Sequence, residues 1–203
     1  MPSELQRFEQ ALLANMSAFG VELSPDAVQL LGVYYSLLIR WNARLHLVAP
    51  CSPEEFATRH VLESLMLLEY LPHGAKIADI GSGGGLPIVP CLIVRPDLEA
   101  TLIESSQKKT VFLREVLAVV GRRAVIVARR FEEVGAPEVE FVSCRALDRF
   151  IPKIPLLKAW APNGSTLLLF GGEELREKFP DADARLIPGS ERRYLFVTGI
   201  KRD

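Results

Sequence analysis

Two carboxylates flank a glycine-rich turn near the middle of the chain. Asp79 lies just before the turn Gly81-Ser82-Gly83-Gly84-Gly85, and Glu104 follows at the end of the next apolar run. Glycine accepts positive φ and lets a ligand lie against bare backbone, so such a turn suits a nucleotide-like molecule. An acid in the position of Glu104 can bind both ribose hydroxyls of an adenosine. These residues together predict a binding site for an adenosine-containing cofactor.

The spacing of the glycines distinguishes between cofactor classes. A dinucleotide fingerprint has glycine at its first, third and sixth positions; Gly81 and Gly83 fit the first two, but the sixth position is Leu86. A phosphate-binding P-loop needs Gly-Lys-Ser/Thr, which does not follow this turn. Asp79 would repel a pyrophosphate but attract the sulfonium and ammonium of S-adenosylmethionine (SAM). We therefore expect SAM rather than NAD, with Asp79, Gly81, Gly83 and Glu104 in its site.

Alternating apolar runs and helical patterns place these residues in one sheet. Strands are predicted at Lys76–Ile80, Glu99–Glu104, Ala124–Ala128, Val139–Cys144 and Ser165–Phe170, and helices at Pro87–Val94, Gln107–Val120, about 148–160 and Glu173–Phe179. Arg185–Ile187 and Tyr194–Ile200 can pair as a terminal hairpin, with the direction of the last strand left open. This repetition predicts an α/β Rossmann-like fold, with a mostly parallel sheet and helices on both faces.

The residues before the first strand predict helices only. Ser3 begins a capping box, and Ser24 and Ser52 each precede a proline at the first helical position. Leu71-Pro72-His73-Gly74 interrupts the helical pattern. We therefore expect a helical extension at residues 1–72, packed on a core at residues 73–203.

Composition narrows the class of protein further. The 203 residues are 49% hydrophobic with mean hydropathy +0.18, which excludes a disordered chain. No apolar run reaches membrane-spanning length, and the N-terminus lacks a signal-peptide layout. The three cysteines are scattered and form neither a metal-binding spacing nor a disulfide framework. We expect a cytoplasmic monomer without a metal site or membrane contact. The net charge of −1 means that any nucleic-acid contact must come from a local basic patch.

Several motifs in order resemble the RsmG (GidB) family of methyltransferases. The resemblance covers residues 30–172, and its motifs are Arg59–Leu65, Asp79–Pro87, Leu102–Lys109, Arg130–Glu133 and Ser143–Ala146. It implies a class I methyltransferase fold and SAM-dependent methylation of guanosine N7 in 16S ribosomal RNA of the small subunit. It also assigns the family's cofactor contacts to Gly81, Leu86, Phe131, Glu132 and Arg145.

Methylation at guanine N7 agrees with the residues present. N7 carries an exposed lone pair, so the reaction needs alignment of N7, methyl carbon and sulfur but no general base. We place Arg145 nearest the reaction, as the residue that hydrogen-bonds guanine O6 or a phosphate. A structural ion pair is the alternative role of Arg145. Cys144 fits a buried strand residue better than a nucleophile.

Basic residues near the predicted site suit contacts with RNA phosphates. Those expected to bind RNA are Lys108, Lys109, Arg114 and Arg130. Five positions depart from the family pattern: His46, Val48, Glu63, Ile88 and Phe170, where the family usually has Asn, Thr, Asp, Gly and Lys. These departures keep two alternatives open: a same-fold methyltransferase with another acceptor, and a catalytically decayed homologue that binds cofactor or RNA.

Overall fold

The computed structural model describes residues 1–145 and 150–201 and contains one seven-stranded sheet. Its strands are β1 Lys76–Ile80, β2 Glu99–Ile103, β3 Val125–Val127, β4 Phe141–Arg145, β5 Thr166–Gly171, β6 Asp183–Leu186 and β7 Tyr194–Gly199. They lie in the order β3-β2-β1-β4-β5-β7-β6. All pairings from β3 to β5 are parallel, and β7 runs antiparallel to both β5 and β6. The predicted fold class and terminal hairpin are confirmed, and the last strand is antiparallel.

Helices cover the sheet and form the N-terminal part of the chain. They are α1 Glu4–Asn15, α2 Pro25–Leu45, α3 Pro53–Glu55, α4 Glu63–Leu65, α5 Ile88–Val94, α6 Gln107–Val119 and α7 Phe150–Trp160. Single 3₁₀ turns occur at Met16–Phe19, Met66–Glu69, Phe131–Glu133 and Glu173–Leu175, and a π-helical stretch, Phe56–Leu62, joins α3 to α4. The side chains of Ser3, Ser24 and Ser52 cap their helices as predicted, because each accepts a hydrogen bond from the backbone N–H of the residue three positions further on.

Some predicted boundaries differ from the observed ones. Pro87 caps α5 instead of starting it, and the Leu86–Pro87 peptide bond is cis. The helix predicted at Glu173–Phe179 is only a 3₁₀ turn, Glu173–Leu175. Leu175 and Phe179 are nevertheless buried, so their apolar spacing reflects core packing and not a longer helix. The predicted start of α7 near residue 148, and Ala146 of the Ser143–Ala146 motif, lie outside the described residues.

One large hydrophobic cluster joins the N-terminal helices to the sheet. It includes Leu31 and Leu38 of α2, Val89 of α5, and Phe112 and Leu113 of α6, all of which are fully buried. A β-carbon on Gly84 would lie 3.3 Å from Leu38 Cδ1, so α2 packs directly on the glycine turn. The extension therefore forms a wall of the predicted site. The division into residues 1–72 and 73–203 stays a prediction.

No helix among the described residues combines the length and the hydropathy needed to cross a bilayer. Nor do these residues bring three His, Cys, Asp or Glu side chains close enough together to hold a metal ion.

Candidate active site

The glycine turn connects β1 to α5 in a conformation that side chains rarely adopt. Gly81, Gly83 and Gly85 have φ values of 72°, 51° and 83°. A β-carbon on Gly85 would lie 2.5 Å from Val89 Cγ2, so this position also lacks space for a side chain. The N–H of Gly81 donates to the carbonyl of Ile103 at 2.8 Å, which ties the turn to the end of β2. The turn is thus held open beside the carboxyl ends of two parallel strands, as predicted for a cofactor loop.

Strand register brings a hydroxyl against Asp79. The parallel pairing of β1 with β4 places Ser143 beside Asp79, and Ser143 Oγ donates to Asp79 Oδ1 at 2.7 Å. Asp79 is fully buried, and its Oδ2 has no hydrogen-bond partner within residues 1–145 and 150–201. Burial raises the pKa of this carboxyl to about 7, against the opposing effect of hydrogen bonds from Ser143 and Ser82. A buried carboxylate oxygen of this kind fits a cationic ligand group, because such a group would supply the missing donor and charge.

Glu104 holds the same turn from the end of β2. Its Oε2 accepts from the N–H of Gly83 at 2.8 Å, and its Oε1 accepts from the N–H of Ser106 at 2.7 Å. Each carboxylate oxygen has two lone pairs, so each keeps one for a ribose hydroxyl. The residue is only 7% exposed. Glu104 therefore combines two tasks: it orients Gly83 and presents acceptors to the cleft.

We expect Glu104→Ala to weaken SAM binding about tenfold or more, because a hydrogen bond to a charged group contributes about 1.5–3 kcal/mol and the anchor of Gly83 is lost as well. Isothermal titration calorimetry measures the change. Glu99→Ala is the matched control, since Glu99 is an exposed acid at the opposite end of the same strand. Equal affinities of the two variants would contradict a ribose role for Glu104.

The turn after β3 forms the far side of the cleft. Phe131 is buried there, with its ring edge-on to Trp160 at a centroid distance of 5.8 Å. Glu132 pairs with Lys153 Nζ at 2.9 Å. Burial raises the pKa of Glu132. A hydrogen bond from its own backbone N–H and the contact with Lys153 lower the pKa by more, so it lies below its usual value. The residues that line this narrow cleft include Ile80, Gly81, Ile103, Ser105, Phe131 and Glu132.

The cofactor residues predicted from sequence thus meet at one edge of the sheet. Asp79, Gly81, Gly83 and Leu86 come from β1 and its turn, while Glu104 follows β2. Phe131 and Glu132 follow β3, and Leu86 is buried against the main core. Their contacts with a cofactor stay predictions.

Arg145 is the last residue of β4 and reaches toward the N-terminal helices. Its Nη2 donates to Glu63 Oε2 at 3.0 Å and to the carbonyl of Arg59, and its Nη1 lies 3.4 Å from the carbonyl of His60. The guanidinium carbon lies 5.4 Å from the ring centroid of Phe170. The ion pair with Glu63 is therefore present, and it is the alternative role predicted for Arg145. A role beside the reacting atoms stays a prediction.

The predicted RNA-binding residues lie on α6 and at the turn after β3, where Arg130 also lines the cleft. Lys108 and Arg114 are exposed on α6, Lys109 is half-buried there, and Arg130 is exposed before the 3₁₀ turn. Of the other basic residues nearby, Arg122 donates to the carbonyls of Leu92 and Ile93 at the end of α5, so it has a structural role. RNA contacts of the four predicted residues stay untested.

Three contributors to the site are absent from the sequence-based predictions of site residues. Ser143 pairs with Asp79, and Glu63 pairs with Arg145. The buried Tyr34 of α2 donates its hydroxyl to the carbonyl of Gly84 at 2.8 Å, and burial raises the pKa of this hydroxyl, so it remains a donor. Glu63 carried a sequence signal as a departure within the Arg59–Leu65 motif, and Ser143 begins the Ser143–Ala146 motif. The contacts of Ser143 and Tyr34 themselves depend on long-range packing.

Comparisons with known proteins concern the family and the fold of this chain. The chain is similar to the ribosomal RNA small subunit methyltransferase G of Sorangium cellulosum, with 38% identity over 186 residues that cover 88% of this chain and 77% of the relative. The corresponding protein of Halorhodospira halophila is 36% identical over 178 residues, covering 87% and 84% of the two chains. A SAM-dependent methyltransferase structure from Aquifex aeolicus shares the fold, with TM-score 0.58 and 12% identity over 72% of this chain and 93% of that one.

The model of one protein family, described as rRNA small subunit methyltransferase G, matches residues 27–201. This range contains the whole sheet, the glycine turn, the Asp79–Ser143 pair and the Arg145–Glu63 pair. It also contains every sequence motif that suggested the resemblance. The fold expected of a class I methyltransferase is confirmed. The chain belongs to the GidB family, the rRNA small subunit methyltransferase G family.

Proposed function

We propose that this protein transfers a methyl group from SAM to N7 of a guanosine in 16S ribosomal RNA. The buried Asp79 Oδ2, which lacks a hydrogen-bond partner among the described residues, carries the cofactor part of the proposal. Together with Glu104 it forms an acidic site that favours a cationic, phosphate-free adenosine donor. The names of the relatives and of the family support the RNA part.

In this proposal Asp79 accepts a hydrogen bond from the ammonium group of the cofactor, and Glu104 accepts hydrogen bonds from its ribose hydroxyls. Gly81 and Gly83 allow close approach of the ligand, while Leu86 and Phe131 provide apolar contacts and Glu132 borders the adenine. When bound, SAM supplies an electrophilic methyl group on a sulfonium. The chain itself has to hold the acceptor base in line with that group, which is the main source of rate when no proton needs removal.

Arg145 is the group that we propose for orienting the base. As a fixed cation at the end of β4, it can donate to guanine O6, which neighbours N7, or to a phosphate. Lys108, Lys109, Arg114 and Arg130 would bind the RNA backbone through charge, so binding should weaken with salt. A monomer acting in the cytoplasm on the small ribosomal subunit is part of the same proposal.

Mass spectrometry of nucleosides from 16S RNA tests this function. RNA from a strain that lacks the gene should miss one 7-methylguanosine, and the purified protein with labelled SAM should restore it. Small subunits, naked 16S RNA and unrelated RNA serve as parallel acceptors. Unchanged 7-methylguanosine together with transfer to another acceptor would support the same-fold alternative. SAM binding without transfer to any acceptor would support a decayed homologue.

A further inference from the structure

Glu63 is a buried carboxylate that joins two arginines from different parts of the sheet edge. Its Oε2 accepts from Arg145 Nη2 at 3.0 Å, and its Oε1 accepts from Arg193 Nη1. Arg145 ends β4, whereas Arg193 precedes β7, whose first residue pairs with the end of β5. The side chains are 3% exposed for Glu63, 13% for Arg145 and 32% for Arg193. One acid from the N-terminal helices therefore fixes two cations at the carboxyl edge of the sheet.

The π-helical stretch provides further acceptors for Arg145. In its wider register the N–H of Glu63 donates to the carbonyl of Thr58, five residues back, and not to that of Arg59. The Arg59 carbonyl instead accepts from Arg145 Nη2. Ser64 Oγ lies 3.4 Å from Arg145 Nη1. These contacts, which come from one short helical segment, fix the plane of the guanidinium as well as its position.

Phe170 closes the remaining side of the guanidinium. Its ring is almost fully buried at the end of β5, and the guanidinium carbon of Arg145 lies 5.4 Å from the ring centroid, within cation–π range. A cation at position 170 would repel Arg145 across this distance, whereas the aromatic ring attracts it. Arg145 is thus held by a carboxylate, by carbonyls and by a π face.

The charges in this cluster show what Glu63 contributes. Two guanidinium groups and one carboxylate sum to a net charge of +1. His60 adds no charge, because burial, and to a smaller extent the nearby Arg145, lower its pKa to about 3. Without the carboxylate, the buried Arg145 and the partly exposed Arg193 would repel each other, and Arg145 would lose its strongest partner. The retained positive charge suits an electron-rich acceptor, such as guanine O6 or a phosphate.

We propose that Glu63 is a positioning residue for methyl transfer, which sets the orientation of Arg145 and Arg193 at the acceptor side of the site. This inference rests on the proposed function, because it assigns Arg145 to the acceptor. Glu63 touches neither the glycine turn nor Glu104 in the described contacts, so it acts on the site through Arg145 and Arg193, whose task in this proposal is to orient the acceptor. Displacement of an orienting group by about 1 Å can reduce turnover about 100-fold.

The test compares Glu63→Gln, Glu63→Asp and Arg193→Gln with the wild type on small ribosomal subunits. We expect kcat to fall about 100-fold in Glu63→Gln, with the dissociation constant for SAM, measured by calorimetry, within about twofold of wild type. Glu63→Asp should recover most of the activity, because the carboxylate is kept. Arg193→Gln, which leaves the Arg145–Glu63 pair intact, should lower kcat about tenfold and keeps the test decisive if Glu63→Gln does not fold.

Two controls separate positioning from stability. Glu54→Gln breaks the exposed Arg7–Glu54 ion pair in the same helical segment, and Leu12→Ala removes a fully buried side chain from α1. If either control lowers the melting temperature as much as Glu63→Gln and loses as much activity, Glu63 is structural only. Equal kcat for Glu63→Gln and wild type would also overturn the inference. A wild type that methylates no RNA would overturn the proposed function and this inference with it.

Discussion

Replacement of Arg145 with alanine is expected to lower methyl transfer to 16S RNA about 100- to 1,000-fold, the usual effect of removing one preorganised donor from an active site. The variant loses a guanidinium whose orientation is fixed by Glu63, two backbone carbonyls and Phe170. It should also lose about 3 kcal/mol of stability, because Glu63 stays buried with Arg193 as its remaining partner.

Single-turnover kinetics and chemical denaturation measure the two effects separately. Arg145→Lys keeps the charge without the planar fork, so we expect only partial recovery. The dissociation constant for SAM in Arg145→Ala decides whether the residue also contacts the cofactor, as the family resemblance implies. Wild-type turnover by Arg145→Ala would show that the ion pair with Glu63 is purely structural.

The pH dependence of both stability and cofactor binding is expected to reflect Asp79. The folded pKa of this buried carboxyl is about 7, against 3.8 as its ordinary value. Because the pKa is raised, the folded state favours the protonated form of Asp79. The protein therefore has its full stability below pH 4, where Asp79 is protonated in both the folded and the unfolded state, and loses stability as pH rises to 7. The loss is on the order of 4 kcal/mol, at 1.36 kcal/mol for each pKa unit. SAM affinity should change in the opposite direction, falling up to about tenfold per pH unit below pH 7, because the cationic ligand binds the ionised form.

Denaturant titrations from pH 4 to 8 test the stability effect, with Asp79→Asn as the reference variant. His60 gives an opposite slope in part of this range, since its pKa is lowered by burial and stability is lost as pH falls through its ordinary value of 6.5. The difference between wild type and Asp79→Asn removes that contribution. We expect the difference to decline with pH, and SAM affinity to be weak and independent of pH in the variant. A pH-independent difference would contradict a titrating Asp79.

Sequence predicted the part of the site that forms at the ends of β1 and β2. Asp79, the glycines and Glu104 could be placed because each lies at or directly after a strand end. The Ser143–Asp79 hydrogen bond could not be predicted, because it depends on the register between β1 and β4, 64 residues apart. The same applies to Arg193, whose contact with Glu63 spans 130 residues. The fold class was predictable for the opposite reason: many short-range patterns repeat along the chain.

Local geometry also explains one family departure. His46 ends α2 with φ of 48°, in the left-handed region where Asn is favoured and His is tolerated. The change from Asn to His therefore keeps the helix end. Ile88, by contrast, replaces a glycine at a fully buried position at the start of α5, and the structure gives no reason why a glycine is usual there.

The hydrogen bond from Tyr34 to the Gly84 carbonyl has a consequence for dynamics. Because α2 shares this contact and a continuous core with the glycine turn, amide protons of the helix and of the turn should exchange with deuterium as one cooperative unit. A ligand that rigidifies the turn would then also slow exchange along α2. Hydrogen–deuterium exchange with and without SAM measures this effect, and protection of the turn alone would show that α2 and the turn open independently.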